Sequence, residues 1–525
     1  MIKTKKIRSA NKDKKMNLVF VTLMSFLLLT ANLSPVNAWV LPAPQTMSGS
    51  SSYGGAGNDQ GNAIVEVRGF LYSTGTFSGT ASFGATTNPA FNLTSNGGKD
   101  IYISKVNASN GNFIWVKGIG GTLDDQGLSI TGLDMPPGGN DLYITGTFEG
   151  TVDFDPGVGV ANLTSAGGSD IFILDLDLNG NFKWVQRIWG AANSQATGIT
   201  LTTSPLFTVA NIYITGSFEG KVDFNPGNGT YYLTSAGRSD VFVLKLTGAG
   251  VFVWAKRMGG PGSDAAYSVT NHGSADDFIH VTGTFESTVD FNPASAVANL
   301  TADSNGDTFI LKLSSAGLYV WSKKLGGMTT PVGSSGGPRF IFNKCDTSNV
   351  QGTYLVGSFA GREDFDPHPT NVVKLTSLGG KDVFLAKLTS TGSLSWAKSF
   401  GGLGNDEGQA LSFGEDCLFP AIYVTGSFED KVDFNPSQNI TNLTSNGSSD
   451  IFVTKFDVNG QHQWVKHFGG PDEDTGYAIT NQGNIMFSTG LFKSIANFQL
   501  NGPPSTLTSA GGYDIFISAL NPSGN

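Results

Sequence analysis

Hydrophobic and polar residues alternate along most of this chain in short runs bounded by glycine, and the runs repeat. Within Tyr213–Gly260 the order is YITGSFEGKVDFNP, then YYLTSAGRSDVFVLKL, then GVFVWAKRMGG. Aromatic and β-branched residues alternate with small ones, the period-2 pattern of half-buried antiparallel strands. Each copy of the pattern predicts four strands, a to d. Strand a follows a Gly-Gly loop, as in Leu128–Thr131 or Tyr477–Thr480. Strand b is the Tyr-x-Thr-Gly-Ser/Thr-Phe run, as in Tyr143–Phe148 and Tyr423–Phe428. Strand c opens on an aspartate and carries Ile-Phe-Ile or Val-Phe-Val. Strand d carries a tryptophan, as in Phe182–Gln186. Asn179-Gly180, Ala249-Gly250 and Asn459-Gly460 sit between c and d as tight hairpin turns, which require positive φ. No stretch of useful length has helical periodicity.

The copies can be counted from their markers. The strand c aspartate recurs at Asp100, Asp170, Asp240, Asp307, Asp382, Asp450 and Asp514. Trp-x-Lys/Gln recurs at Trp115, Trp184, Trp254, Trp321, Trp396 and Trp464. Seven repeats of about 68 residues follow, at approximately 54–119, 120–189, 190–258, 259–325, 326–400, 401–468 and 469–525. Four antiparallel strands in each of seven units predict an all-β fold, a seven-bladed β-propeller. The last copy ends after strand c, and Gln45–Tyr53 lies where a d strand belongs. The N-terminal segment 39–53 is therefore expected to act as linker and ring-closing strand.

The pattern YxTGxF…VDFxP…LTSxGxxDxFxxKLxxxGxxxWxKxxGG resembles the SBBP-type β-propeller repeats of bacterial exported proteins. The resemblance covers about residues 50–525. Copies 1 and 7 depart from it, with Ser82-Phe83-Gly84 and Asn497-Phe498-Gln499 in place of Asp-Phe-Asn/Asp-Pro. It implies export and a surface or scaffold role, and it carries no catalytic set.

The ends and the charge bear on location and partner. Residues 1–38 read as a signal peptide: a basic start, the apolar run Leu18–Leu33, then Val36-Asn37-Ala38 as a small-residue cleavage box. Cleavage removes seven basic residues and one acidic residue, and moves the net charge from −10 to −16. An acidic surface argues against nucleic acid or anionic membrane as partner. No transmembrane span is expected after cleavage. The expectations are a secreted, periplasmic or cell-surface monomer, with a protein or glycan as partner. Cys345 and Cys417, both placed in a–b loops of neighbouring copies, form a candidate disulfide.

Candidate chemistry concentrates at one end of the strands, where the d–a and b–c loops meet. The d–a loops hold Asp59, Asp125, Asp264, Asp406 and Asp474, expected to ring one mouth of the channel. Three of these loops read Gly-Gly-x-Gly-x-Asp, an echo of the calcium-binding nonapeptide. The same residues serve equally as turn formers, with aspartate capping backbone N–H groups. No cofactor is expected on the second reading, and calcium on the first. The b–c connections carry Asp-Phe-Asp/Asn-Pro, as in Asp153–Pro156 and Asp223–Pro226. There is no nucleophile elbow, phosphate loop or histidine cluster, so a non-enzymatic binding or scaffold module is favoured. A carbohydrate-active hydrolase or lyase at the channel mouth and a calcium-dependent adhesin are the alternatives. Copies 3 and 5, through Trp189, Asn193 and Met328–Gly337, break the repeat and are the places where a specific site is expected.

Overall fold

The structure, a computed structural model, describes residues 50–524 apart from 85–90, 136–138, 204–209, 272–277, 304–305, 328–338, 343–351, 415–419, 438, 484 and 499–505. These residues lie in one compact unit, Thr46–Asn525. The expected signal peptide, both cysteines and Met328–Gly337 lie outside the described residues.

The described residues form an all-β, propeller-like arrangement of curled antiparallel sheets. Copy 6 shows the local order: Glu407–Phe413 (a), Ala421–Asp433 (b), Asn442–Asp457 (c) and His462–Phe468 (d), paired in that sequence. The strands form because valine, isoleucine, tyrosine and phenylalanine fit a pleated surface, while glycine and Asx residues break the chain between them. One expectation changes. The inner stretches of strands b and c are not half-buried: Ala421–Phe428 is buried at every position, and so is 450–454 of strand c. Each sheet is covered on both faces by neighbouring copies, so the period-2 pattern separates large residues from small ones rather than inside from outside. One core cluster shows this covering, with Ile171 and Ile173 of copy 2 packed among Phe218, Phe224 and Phe242 of copy 3.

The b–c connection is shorter than the sequence suggests. In copy 3, strand b runs through Ala210–Asp223, and strand c begins at Tyr232. Lys221, Val222 and Asp223 pair with Thr234, Leu233 and Tyr232, beyond a register shift at Glu219/Lys221. The Val-Asp-Phe segment is thus a strand extension. The aspartate in it closes the remaining loop: Asp223 Oδ1 accepts N–H bonds from Asn225 at 3.1 Å and Tyr231 at 2.8 Å. Asn225 Oδ1 accepts one from Gly227 at 3.0 Å, as Asp155 Oδ1 does from Gly157 at 2.7 Å. Only an acceptor is needed there, which is why Asp and Asn interchange between copies.

Copies are joined at two places. At the rim, the strand d tryptophan lies against the c–d turn of the next copy. Trp254 Nε1 donates to Ser315 O at 3.1 Å, Trp396 to Val458 O at 3.2 Å, and Trp464 to Pro522 O at 2.9 Å. The turn glycine, such as Gly250 with φ 73°, stacks its backbone on the preceding ring, where a Cβ would come within 3.0 Å of Trp184. At the end of strand d, the Gly-Gly pair bridges to strand b of the next copy, as in Gly259↔Asp290 and Gly401↔Asp433. A Cβ on the second glycine, Gly402, would stand 2.4 Å from Lys431 O, so only glycine permits this approach.

The a strands lie side by side. Gln60–Val67 touches Gln126–Met135, which touches Ser194–Thr203, then Ala265–Asn271, Arg339–Phe342, Glu407–Phe413 and Thr475–Gln482, and this last strand also touches Gln60–Val67. Ser51–Gly55 pairs antiparallel with Thr506–Leu520, through Ser51↔Ile517 and Tyr53↔Ile515, and with Phe70–Phe83 through Gly54↔Ser82. Among the described residues, no helix is long and apolar enough to cross a membrane.

Candidate binding mouth

The five loop aspartates sit between copies, not around an opening. Asp59, Asp125, Asp264, Asp406 and Asp474 are at most 1% exposed. Each grips backbone on two sides. Asp406 Oδ2 accepts the Gly402 N–H at 2.7 Å, and Oδ1 accepts Glu429 N–H at 3.2 Å from strand b of the same copy. Asp59 does so with Gly55 at 2.7 Å and Ser78 at 3.0 Å. Asp125, Asp264 and Asp474 repeat the arrangement with Gly121 and Glu149, Gly260 and Glu286, and Gly470 and Lys493. The Gly-Gly loop needs an acceptor for its orphan N–H groups, and in each of these five copies the aspartate is that acceptor. Among the described residues, no three acidic, histidine or cysteine side chains gather in a way that could hold a metal ion.

In copy 3 the two residues singled out in the sequence have local partners. Asn193 Oδ1 accepts the Ser169 N–H at 3.2 Å, as Asn405 Oδ1 accepts that of Lys381 at 3.3 Å. Trp189 stacks on the Arg187 guanidinium at 5.0 Å.

What opens at this end is lined by the neighbours of the aspartates. A cavity of about 590 Å³ is bounded by Lys381, Asn405, Glu407, Ser427, Glu429, Ser449, Glu473, Thr475, Tyr477, Leu491 and Tyr513. Glu407 follows Asp406, and Glu473 precedes Asp474. The clamp on each aspartate fixes the backbone, and the flanking side chains then point into the open space. A second, narrower cavity of about 190 Å³ is walled by small and apolar residues of the a strands, among them Ala63, Ile130, Gly198 and Ile479.

The wider cavity is acidic and aromatic. Three glutamates face one lysine. Glu407 Oε1 pairs with Lys381 Nζ at 2.9 Å, and Glu407 Oε2 accepts Gln409 Nε2 at 3.1 Å. Glu429 Oε2 accepts Asn405 N–H at 2.9 Å and Asn405 Nδ2 at 3.2 Å. Tyr513 donates its hydroxyl to Glu473. Burial, with the charges of Glu407 and Glu473, pushes the Tyr477 phenol up to about 12. Burial and Glu473 raise Tyr513 in the same direction. Both phenols stay protonated at neutral pH. The cavity thus offers carboxylates and aromatic faces together, a setting that attracts an ammonium or guanidinium group.

None of these residues stands out in the repeat motif. Their signal lies in positions where copies differ. After the loop aspartate stand Gln60, Gln126, Ala265, Glu407 and Thr475, with Gln195 after Ser194 in copy 3; before the strand c aspartate stand Lys99, Ser169, Ser239, Gly306, Lys381, Ser449 and Tyr513. Among the described residues, copies 5 to 7 bring acid, amine and phenol to one place.

No family model matches the chain, so the SBBP-type resemblance stands on its motifs alone. The chain is 22% identical over 446 residues to an uncharacterized WD repeat-containing protein, L264, of Acanthamoeba polyphaga mimivirus, covering 71% of this chain and 31% of that protein. It is 31% identical over 148 residues to the regulatory protein FlaEY of Caulobacter vibrioides, covering 28% of this chain and 15% of that protein. The chain therefore spans less than a third of either relative's length. Among solved structures, the quinohemoprotein alcohol dehydrogenase of Comamonas testosteroni aligns with 91% of this chain and 76% of its own, at a TM-score of 0.41 and 10% identity. Strand order, repeat and the WD-repeat relative agree on a propeller-like repeat protein, an architecture that fits a binding or scaffold module.

Proposed function

We propose that the chain is a seven-bladed β-propeller of the SBBP type, closed by Ser51–Gly55, and that it works as an exported binding module. Its partner is a protein that presents a lysine or arginine side chain to the mouth formed by Glu407, Glu429, Glu473, Tyr477 and Tyr513. The observation that carries this reading is the convergence of three glutamates and two tyrosines around one cavity of about 590 Å³. The continuous contact of a strands, returning from Thr475–Gln482 to Gln60–Val67, supports closure. The order of basic, apolar and small residues in 1–38 supports export, and N-terminal sequencing of the exported chain is expected to begin at Trp39.

A labelled oligo-lysine peptide tests the mouth directly. The wild-type protein is expected to bind it at low salt and to release it as salt rises, since part of the attraction is screened. Glu407→Gln with Glu473→Gln is expected to weaken binding at least ~10-fold, within the range for truncating one side of a desolvated charge pair. Equal binding by the double variant would sink this reading. The glutamates also leave room for carbohydrate-active chemistry, and an unchanged affinity for peptide together with cleavage of a glycan that depends on Glu473 would favour it.

A further inference from the structure

At five junctions between copies, two aspartates influence each other, and at two of these both stand beside one glycine. A Cβ on Gly54 would stand 2.5 Å from Asp514 Oδ1 and 2.8 Å from Asp59 Oδ2. On Gly469 it would stand 2.3 Å from Asp450 Oδ1 and 2.9 Å from Asp474 Oδ2. At the other three junctions the strand c aspartate lies against the glycine, with a Cβ on Gly120, Gly259 or Gly401 within 2.3 Å of Asp100, Asp240 or Asp382, and each raises the proton affinity of Asp125, Asp264 or Asp406. The donors around them are incomplete. Oδ2 of Asp100, Asp240, Asp450 and Asp514 accepts the N–H of the residue four earlier, at 3.0, 3.0, 3.2 and 3.1 Å. Oδ1 of these same four is buried with no hydrogen-bond partner.

An ionised carboxylate oxygen that is buried without a donor, beside a second carboxylate, is costly. A single proton removes both costs. It neutralises one acid and gives the orphan oxygen a bond to the other. We infer that each of the four paired junctions with an orphan oxygen takes up one proton from solvent on folding, and that the two aspartates share it as a carboxyl–carboxylate hydrogen bond clasping adjacent copies. The remaining three differ in what the structure describes: both Asp382 oxygens accept the Leu378 N–H, at 3.4 and 3.3 Å, and Asp307, whose Oδ1 is also buried without a partner, has a cation beside it. Asp307 meets the Lys324 ammonium at 2.8 Å, and Asp170 Oδ1 accepts the Gly190 N–H at 3.2 Å where the next loop carries Asn193-Ser194 instead of an acid.

The surrounding charges agree in direction. Burial is the first cause at every member of the five pairs, lifting Asp59, Asp100 and Asp382 from 3.8 to about 6, and Asp125, Asp264, Asp406, Asp450, Asp474 and Asp514 to about 7. Asp124 and Glu149 face the Asp100–Asp125 pair, Glu286 the Asp240–Asp264 pair, Glu429 the Asp382–Asp406 pair and Asp472 the Asp450–Asp474 pair, all adding negative charge. Two basic groups are present. Arg257 lies 2.8 Å from Asp240 and opposes the effect of burial there, and His467, whose affinity for a proton burial lowers, lies 3.8 Å from Asp450. Folded values above the unfolded 3.8 mean that the clasp contributes fully below about pH 4 and is lost as pH rises through 6 to 7.

Thermal unfolding of the full chain at pH 5 and pH 8 tests the clasp. The wild-type Tm is expected to be higher at pH 5 by at least ~5 °C. Asp100→Asn, Asp450→Asn and Asp514→Asn combined supply a fixed N–H donor in place of the proton. This variant is expected to lose most of that difference, which general charge repulsion would leave intact. Infrared difference spectra of the wild type should show protonated carboxyl groups at pH 6 that deuterium shifts, a readout that stands even if the variant does not fold. A wild type more stable at pH 8, a variant with the full pH dependence, or calcium raising the pH 8 Tm without any carboxyl band would each overturn the inference.

Discussion

Gly426→Ala is expected to destabilise the fold by about 3 kcal/mol or more, measured by denaturant unfolding. A Cβ at Gly426 would stand 1.8 Å from the Glu407 carbonyl oxygen and 2.9 Å from the Phe452 ring. The carbonyl belongs to strand a, which shifts register between Gly408 and Ala410 as it passes strand b. That shift pushes the strand a backbone onto the glycine, and backbone cannot swing aside as a side chain can. Either the a–b pairing opens or the ring of Phe452 leaves the core. The same contact recurs at Gly75, Gly146, Gly216, Gly283 and Gly490, with distances of 1.9, 1.8, 1.9, 1.9 and 2.0 Å. Gly361→Ala provides the control. Nothing lies within 4 Å of its Cβ, and its φ of 79° confines the cost to backbone strain of about 1 kcal/mol. Equal losses at the two sites would show that the register at Gly426 is misassigned.

Deleting residues 45–53 is expected to lower the Tm by roughly 5 °C or more and to cause concentration-dependent association. The deletion removes the partner of Ile515, Phe516 and Ile517. It also removes Tyr53, which is 5% exposed and packs edge-on against Phe113 at 4.5 Å. Two effects follow from one cause. Burial of one aromatic side chain and a short ladder of hydrogen bonds is lost, and Thr506–Leu520 becomes an unprotected sheet edge that another chain can pair with. A peptide of residues 45–55 added in trans should restore the monomer. An unchanged Tm with no association would sink the closure by Ser51–Gly55.

The two expectations rest on features visible to different degrees in the amino-acid order. The Thr-Gly-Ser/Thr-Phe motif marks its glycine in every copy, yet the motif does not say what approaches it. The displaced N-terminal strand follows from counting: a last copy without its d strand and a stub of sequence before the first. The loop aspartates were visible as a recurring acid, and their neighbours Glu407 and Glu473 were not, because neither recurs.

That contrast separates what the sequence by itself determined from what only the tertiary structure decided. Strand type, turn positions and the repeat are local properties: a period of two, glycine where φ is positive, and Asx residues that cap N–H groups within a few positions. These were readable because the residues that cause them are close in the chain. The role of each acid was decided by partners far away in sequence. Asp406 is a backbone clamp because Gly402 and Glu429 present N–H groups to it. Glu407, one residue later, points into a cavity completed by Lys381 and Tyr513. Neighbours on an extended strand face opposite ways, so one carboxylate is enclosed and the next is available. Which one is available depends on how adjacent copies pack, and that packing exists only in the folded chain.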